Sequence, residues 1–320
     1  MEFASWAALA QVNKDILLHM LRQTVWVADT CEVTGFLGTR KGYEQMPTQV
    51  LIYKDPVPLN AQNHAELCIK PGTSFQFAAS INSVPLTAAE FAQASASYPI
   101  VFTGEGDNIV PAAILGFGKE ENVFVDAEGG WTGGYVPAFL RRYPFVFSDE
   151  TKDGQLILFV DQSFEGCNTE GRGERLFDVE GNHTGYLKTV LGFLQEYQAS
   201  FARTQAFCSR LSRLGLLRPA EANWRNPDGE GQRLGGFLTV DREALKNIDD
   251  GELREMFAND ELECVYLHLA SLRHIESIAQ RAADRGSEAP EEPTVAQALG
   301  KIMDVAEQGD VAIEPGEDEG

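Results

Sequence analysis

The stretch that decides the fold runs from Tyr98 to Phe147 and reads YPIVFTGEGDNIVPAAILGFGKEENVFVDAEGGWTGGYVPAFLRRYPFVF. Short apolar runs alternate with charged segments that contain glycine, a pattern typical of an antiparallel meander. At its centre two glycine pairs flank Trp131 in GGWTGGY. Such a tryptophan either lies buried beside a tight backbone turn or is presented to a partner, and the sequence leaves both readings open.

Composition limits the classes of function. A chain of 320 residues with 43% hydrophobic residues can bury a sizeable core, in roughly two domains or one large one. The net charge of -22 opposes binding to nucleic-acid phosphates or anionic lipid headgroups, so we expect no nucleic-acid partner. No window approaches the roughly 18 to 20 apolar residues of a membrane-spanning helix, which predicts a soluble protein.

The cysteines and the N-terminal pattern bear on the compartment. The 5 cysteines are widely spaced and include no CxxC pair, which favours reduced thiols. The N-terminal segment lacks the layout of a signal peptide. Both observations predict a cytoplasmic protein.

Three segments differ in composition. Residues 1–45 are expected to contribute little; either they are an extension that is not part of the native protein, with Met46 as the true start, or they form a genuine N-terminal helix. Residues 46–285 are expected to form the domain, β-rich over 50–182 and helical over 183–285. The tail, 286–320, carries ten acidic residues against one lysine and is predicted to be mostly disordered.

The β-rich part predicts an α+β fold. A strand is expected in VLIY from Val50, a proline-stiffened turn in the following DPVPLN, and a buried strand in GQLILFVDQ from Gly154. Ser83 or Thr87 can cap a short helix before Pro99. The connections are too short for repeated βαβ crossovers, so the sheet should be mainly antiparallel, either a sandwich or an open barrel.

The helical part begins with one long amphipathic helix over 183–214, with Thr184 as its N-cap. Arginines make its C-terminal half and the segment after it basic, and we expect them to pair with the protein's own carboxylates rather than with an acidic partner: Arg203, Arg210, Arg213 and Arg218. LLRPAEANWRNPDGEGQRLGGFLTV is predicted to pass through turns into a strand. The last helix should span Leu262–Ala283, with Tyr266 in its core face.

Several ordered blocks carry a family resemblance. SINSVPLTAAEFAQASASYPIVF, AILGFG, NVFVD and GGWTGGYVPAFLRRYPFVF are followed by LILFVDQ, GERLFD and GGFLTVDREALKNIDDGELREMF. Together these blocks, over roughly residues 51–281, closely resemble the SapC family of bacterial proteins. The resemblance is to the surface-layer-associated proteins and not to the peptide-transporter permease of the same name.

The resemblance implies a role at a bacterial surface layer or in the uptake of surface-acquired nutrients, with a protein or glycan of that system as partner. It supplies no catalytic residues. It also implies an association with the cell surface, whereas the chain itself predicts the cytoplasm.

Candidate chemistry is sparse, and we predict neither a cofactor nor a metal site. His64 and Cys68 stand four residues apart, as ligands on one helical face would, but no second pair completes a tetrahedral set. Cys167 and His183 suggest a nucleophile and base whose geometry nothing fixes. The remaining candidates are expected to be solvated loop charges or a core or surface histidine pair: Glu165, Glu170, Glu174, His268 and His274.

The strongest candidate for function is a binding surface. Aromatic platforms and guanidinium groups of the type that contact carbohydrate, peptide or protein surfaces are combined in Trp131, Tyr135, Arg141, Arg142 and Tyr143. We therefore expect a non-enzymatic binding protein. The alternatives are an enzyme, or an enzyme's accessory protein, with its site near Trp131, and a cytoplasmic sensor of a small ligand.

Overall fold

A computed structural model describes residues 52–72, 74–117, 120–148, 156–225 and 231–285. All the strand pairs among them are antiparallel. The strands are β1 Pro56–Pro58, β2 Cys68–Ile69, β3 Ser83–Pro85, β4 Ile100–Thr103, β5 Val110–Ile114, β6 Phe145–Phe147, β7 Leu158–Asp161, β8 Cys167–Asn168, β9 Glu174–Arg175, β10 Leu217–Arg225 and β11 Gly231–Val240. The α-helices are α1 Ala61–His64, α2 Phe91–Ala94, α3 Ala138–Arg141, α4 Gly185–Arg213, α5 Arg242–Lys246, α6 Asp250–Ala258, α7 Glu261–Ser271 and α8 Ile275–Asp284.

The strands form three sheets. The largest has the order β10-β11-β4-β5-β3, and the others have the orders β1-β7-β6 and β8-β2-β9. The stretch quoted first supplies the β4–β5 hairpin to the largest sheet and β6 to the second. The α+β prediction with antiparallel sheets is confirmed, and none of the three sheets closes into a barrel.

Helix α4 joins two hydrophobic cores. Its first turns pack Leu187 and Leu194 into a core with the β1-β7-β6 sheet, while Phe207 and Leu211 enter the larger core around the five-stranded sheet. At about 1.5 Å per residue the helix is long enough to reach both. The Thr184 side chain accepts a hydrogen bond from the Leu187 N–H, so the predicted helix and its cap are confirmed.

Three of the four arginines in and after the basic half of α4 pair with carboxylates of the same chain, as expected, whereas Arg203 donates to the Ser200 hydroxyl at 2.9 Å. The Arg210 guanidinium lies 2.7 Å from the Glu255 carboxylate and 3.1 Å from that of Glu261. Arg213 lies 2.9 Å from Glu252. These contacts tie α4 to α6 and α7.

The last predicted helix is interrupted. A 3-10 turn over Leu272–His274 separates α7 from α8. It follows Ser271, whose hydroxyl donates to the His268 carbonyl at 2.7 Å and accepts the Ile100 N–H at 2.8 Å, a side-chain to backbone bond of the kind that bends helices. The prediction that Tyr266 belongs to the core face is wrong, because it is 53% exposed.

Two segments predicted as proline turns are strands. Pro56–Pro58 forms β1, and Pro219 lies within β10, where only turns were expected. Both are edge strands, and an edge position tolerates a residue that lacks an N–H donor. The strand predicted in VLIY is wrong where it can be judged, since Ile52 and Tyr53 are not in a strand.

NVFVD, over 122–126, also forms no extended strand. The Asn122 side chain accepts the Phe124 N–H at 2.9 Å and donates to the Ala78 carbonyl at 3.0 Å, which turns the backbone. A single bridge between Val125 and Trp131 remains.

The predicted N-terminal extension, 1–45, and the predicted acidic tail, 286–320, lie outside the described residues. Among the helices that the structure describes, none combines the length and apolarity needed to cross a membrane.

Candidate functional site

Trp131 is half-buried, and both its indole N–H and its ring contact other residues of the protein. Its indole N–H lies 3.1 Å from both the Tyr98 hydroxyl and the Tyr135 carbonyl. Its ring stacks on Phe124, with centroids 6.1 Å apart, and contacts Phe75 at 5.4 Å. Between the two readings left open by the sequence, these contacts favour a tryptophan beside a tight turn.

The glycines of GGWTGGY explain how tight that turn is. A Cβ at Gly133 would lie 2.1 Å from the Tyr98 hydroxyl and 2.7 Å from the Trp131 indole nitrogen. At Gly130 a Cβ would lie 2.6 Å from the Asp126 carboxylate, which accepts the Gly130 N–H. Side chains at these positions would displace the hydrogen bonds that hold the indole.

Tyr135 stands above a buried carboxylate. Its hydroxyl donates to Glu90 Oε1 at 3.0 Å, and the same oxygen accepts the Ala138 N–H at 2.7 Å. Glu90 Oε2 accepts the N–H and the hydroxyl of Thr87 at 2.8 and 3.0 Å. Glu90 is 5% exposed, and its four donors satisfy it as a buried charge must be satisfied.

Arg141 is exposed at the end of α3. It donates to the Tyr135 hydroxyl at 2.9 Å and to the Val136 carbonyl at 3.0 Å. Its guanidinium lies over the rings of Tyr135 and Phe193, 5.5 and 5.3 Å from their centroids. We call Tyr135, Arg141 and Phe193 the α3 surface; it presents a fixed cation framed by two rings.

Arg142 points the other way. It is 6% exposed, and its guanidinium lies 4.3 Å from the centroid of Phe139 and 5.2 Å from that of Tyr197. In this position it stabilises the core near α4 rather than offering donors to a partner.

Tyr143 lines a cavity. Its ring stacks on Phe77 with centroids 4.2 Å apart and meets Phe164 at 5.4 Å, nearly perpendicular. The cavity has a volume of about 310 Å³, and Lys54 and Lys70 also line it. We call it the lysine cavity.

A buried carboxylate lies beside the lysine cavity. Asp161 is fully buried and accepts the N–H groups of Lys54, Asp55 and Ser163 at 2.8, 3.1 and 2.9 Å, and the Ser163 hydroxyl at 2.6 Å. It therefore fixes the backbone on which Lys54 and Ser163 stand.

Tyrosine pKa values show what these hydroxyls do at neutral pH. Burial, with the Asp161 charge as a second cause, raises the pKa of Tyr143 to about 12. Burial likewise raises the pKa of Tyr98 and of Tyr135 to about 12. All three hydroxyls stay protonated and act as hydrogen-bond donors and acceptors, not as bases.

Cys167 and His183 do not form the nucleophile pair considered from the sequence. The Cys167 thiol donates to the Asp161 carbonyl at 3.5 Å, and burial raises its pKa to about 11, which disfavours the reactive thiolate. The His183 ring lies 5.8 Å from the Phe177 ring, and burial lowers the pKa of His183.

The predicted histidine and cysteine pairs also have separate partners. Cys68 lies in strand β2, so it does not share a helix with His64, whose Nε2 lies 3.1 Å from the Gln162 amide nitrogen. The Nδ1 atom of the buried His268 lies 2.7 Å from the Ile100 carbonyl, and burial lowers the pKa of His268 to about 4. The Nε2 atom of His274 lies 3.1 Å from the Ser95 carbonyl. Among the described residues, no group of three or more His, Cys, Asp or Glu side chains is placed to hold a metal ion.

The three loop glutamates that the sequence singled out separate in the fold. Glu165 lines the lysine cavity. Glu170 pairs with Arg172 at 3.0 Å on the surface, and Glu174 is exposed in β9.

A second cavity, of about 570 Å³, lies between the β10–β11 hairpin and the helices α7 and α8. Arg218, Phe237 and Leu272 are among its lining residues. None of the sequence-predicted site residues lies in it.

The sequence did not reveal the lysine cavity because its lining comes from four distant segments, and only the one that contains Tyr143 contributed a candidate binding residue. Lys54 precedes β1, Lys70 follows β2, and Ser163 follows β7, so no local spacing joins them. The one available signal was DQS at 161–163 directly after a buried strand, where a carboxylate capping nearby backbone is common.

Comparison with known proteins gives one match. A family model described as SapC matches residues 59–278, which include the α3 surface and the lysine cavity except for Lys54. No curated protein and no solved structure matches the chain.

Proposed function

This chain belongs to the SapC family, and we propose that it is a non-enzymatic protein that supports a bacterial surface-layer or surface uptake system through protein or glycan contacts. The observation that carries the proposal is the α3 surface. Arg141 is exposed there, yet it is already oriented by Tyr135 and by the Val136 carbonyl. A cation held in one geometry loses little conformational freedom when a partner binds.

The rigidity of the α3 surface supports a recognition role. Tyr135 is anchored through its hydroxyl to the buried Glu90, and its carbonyl accepts the Trp131 indole N–H. Aromatic and arginine side chains with this kind of support are the residue types that dominate binding energy at interfaces. Trp131, which is half-buried, supports this surface through that hydrogen bond.

The rival hypothesis is an enzyme with its site near Trp131. Around that indole, Tyr98 and Tyr135 keep their protons at neutral pH because burial raises their pKa values. As protonated hydroxyls these groups can orient a ligand through hydrogen bonds, which supports binding.

Recovery of partners from the native cells tests the proposed function. The full chain, carrying an affinity tag, should recover a component of a surface-layer or surface uptake system after mild crosslinking. Arg141→Ala should reduce that recovery several-fold, because it removes the exposed cation. Arg254→Ala is the matched control: Arg254 is also exposed on a helix, α6, but lies outside the α3 surface.

Two outcomes would overturn the proposal. One is the recovery of no surface-system component with the unaltered chain. The other is equal recovery with Arg141→Ala and with Arg254→Ala. Fractionation of the same cells against cytoplasmic and periplasmic markers places the chain and decides which partners can reach it.

A further inference from the structure

We infer that the lysine cavity is a binding site for an acidic saccharide, a sugar that carries a carboxylate. Its lining combines three elements that such a ligand needs, which are aromatic rings, lysine side chains and uncharged polar groups, and it also includes one carboxylate, Glu165. This inference deepens the proposed function, because it names a ligand class for the glycan contact.

The aromatic wall suits a sugar ring. Tyr143 stacks on Phe77, and Phe164 meets Tyr143 nearly at a right angle, so the three half-buried rings form a corner. The apolar C–H face of a sugar packs well against the face of an aromatic ring, because that face is apolar and electron-rich. A corner of rings contacts one face of the sugar and leaves its hydroxyls to other groups.

The two lysines supply the charge that recognises a carboxylate. Lys54 and Lys70 are exposed, and neither has an ion-pair partner among the carboxylates that the structure describes. In a chain of net charge -22, this lining holds two lysines against one carboxylate, Glu165, so positive charge exceeds negative by one, while Asp161 beside it is buried and already accepts four donors. An anionic ligand is attracted here although the whole protein repels it.

The remaining polar groups distinguish a sugar from a simple anion. Ser74, Gln76, Ser163 and Glu165 line the same cavity. Hydroxyl and amide groups both donate and accept hydrogen bonds, while the Glu165 carboxylate only accepts them. Sugar hydroxyls can satisfy all of these groups, including Glu165, to which they donate, whereas acetate has no hydrogen to donate to Glu165.

The cavity is fixed before any ligand arrives. Asp161 holds the backbone of Lys54 and Ser163, as described above, and the Gln162 N–H donates to the Asp55 carbonyl at 3.0 Å. On the opposite side the Lys70 N–H donates to the Gly166 carbonyl at 2.9 Å. The three segments are therefore bonded to one another, which lowers the entropy cost of binding.

Size limits the ligand. About 310 Å³ lies at the lower end of the range of small-molecule sites, roughly 300 to 1,000 Å³, and suits one or two sugar units. A longer acidic glycan could place only one terminal unit in the cavity.

Calorimetric titration of the purified full chain tests the inference. The probes are D-glucuronate, D-galacturonate and N-acetylneuraminate, compared with D-glucose, D-galactose, acetate and inorganic phosphate. We expect at least one acidic sugar to bind more tightly than its neutral counterpart and than either simple anion. The double variant Lys54→Met/Lys70→Met should weaken that binding at least about tenfold, since each charged hydrogen bond contributes strongly.

Lys188→Met is the matched control, because Lys188 is exposed on α4 and outside the cavity. A second variant, Phe164→Ala, should weaken acidic and neutral sugars alike but not acetate. Thermal unfolding of each variant checks that it is folded.

The inference is overturned if none of the three acidic sugars binds with a dissociation constant below about 10 mM. It is equally overturned if acetate or phosphate binds as well as they do, or if Lys188→Met has the effect of the double variant. Partner recovery with Arg141→Ala is a separate measurement, so a failed titration leaves the proposed surface role standing, and a failed recovery leaves the titration valid.

Discussion

Replacement of Glu90 by glutamine tests whether the buried carboxylate holds the α3 surface together. Each carboxylate oxygen accepts one backbone N–H and one hydroxyl: Oε1 from Ala138 and Tyr135, Oε2 from both donors of Thr87. The hydroxyls can rotate, but the backbone N–H groups cannot. Either orientation of the glutamine amide therefore points its NH₂ group at one buried N–H.

The magnitude of Glu90→Gln follows from that count. One buried N–H without an acceptor costs about 1 to 3 kcal/mol, and the surviving bonds lose the strength that the negative charge gave them. Removing a buried charge offsets part of this loss. We expect the free energy of unfolding to fall by about 2 to 4 kcal/mol.

Urea unfolding followed by tryptophan fluorescence measures this change. Glu128→Gln is the control, since Glu128 is exposed in the same region, and it should change the free energy of unfolding by less than about 0.5 kcal/mol. A loss below about 0.5 kcal/mol for Glu90→Gln would refute the claim that its hydrogen bonds organise the α3 surface.

Three further predictions test other parts of the structure. Gly133→Ala places a Cβ 2.1 Å from the Tyr98 hydroxyl and should lower the free energy of unfolding by about 1 to 3 kcal/mol. Gly192→Ala, within α4 with open space around it, should raise the free energy of unfolding by about 0.5 to 1 kcal/mol. Equal urea midpoints for the two variants would contradict this. Burial holds the pKa of His268 at about 4, below its unfolded value of about 6.5, so the unfolded chain binds more protons at acidic pH. The free energy of unfolding should therefore decrease by about 3 kcal/mol as the pH falls from 6.5 to 4, relative to the change in His268→Gln. Parallel pH profiles of the two proteins would count against it. Because the pKa of the Cys167 thiol is raised to about 11, its reaction rate with a disulfide reagent should increase about tenfold per pH unit between pH 8 and 10. Cys167→Ser should remove this kinetic phase. A rate that reaches a plateau near pH 8 would instead show an activated thiol.

Local patterns in the sequence predicted much of the fold. The three- and four-residue spacing of apolar residues predicted α4, and Thr184 caps it as expected. The short connections between apolar runs predicted antiparallel pairing. These features depend on neighbours in the chain, so the chain alone reveals them.

The errors share a physical cause. Prolines in β1 and β10 were read as turns because a proline cannot donate to a sheet, yet at a sheet edge the missing donor faces away from any partner strand. Edge position is a property of the assembled sheet. Tyr266 was misassigned because it is adjacent to Val265, which is fully buried, and apolar character alone does not show which of two neighbouring residues on a helix faces the core.

The candidate binding residues show the same division between what the sequence and the tertiary structure reveal. The sequence located the aromatic and arginine-rich segment after GGWTGGY, but only the tertiary structure showed that Arg141 is exposed and Arg142 is buried. Adjacent residues on a helix point about 100° apart, and composition cannot say which of the two faces the core.

For this protein the sequence by itself determined the family, the α+β class and the long capped helix, because those follow from ordered blocks and local periodicity. The tertiary structure alone decided how GGWTGGY packs: its glycines let the backbone approach Tyr98 closely, and the half-buried Trp131 indole donates to the Tyr98 hydroxyl and the Tyr135 carbonyl. It alone also brought Lys54, Lys70 and Tyr143 to one cavity. Contacts between segments far apart in the chain are set by packing, and no spacing in the sequence encodes them.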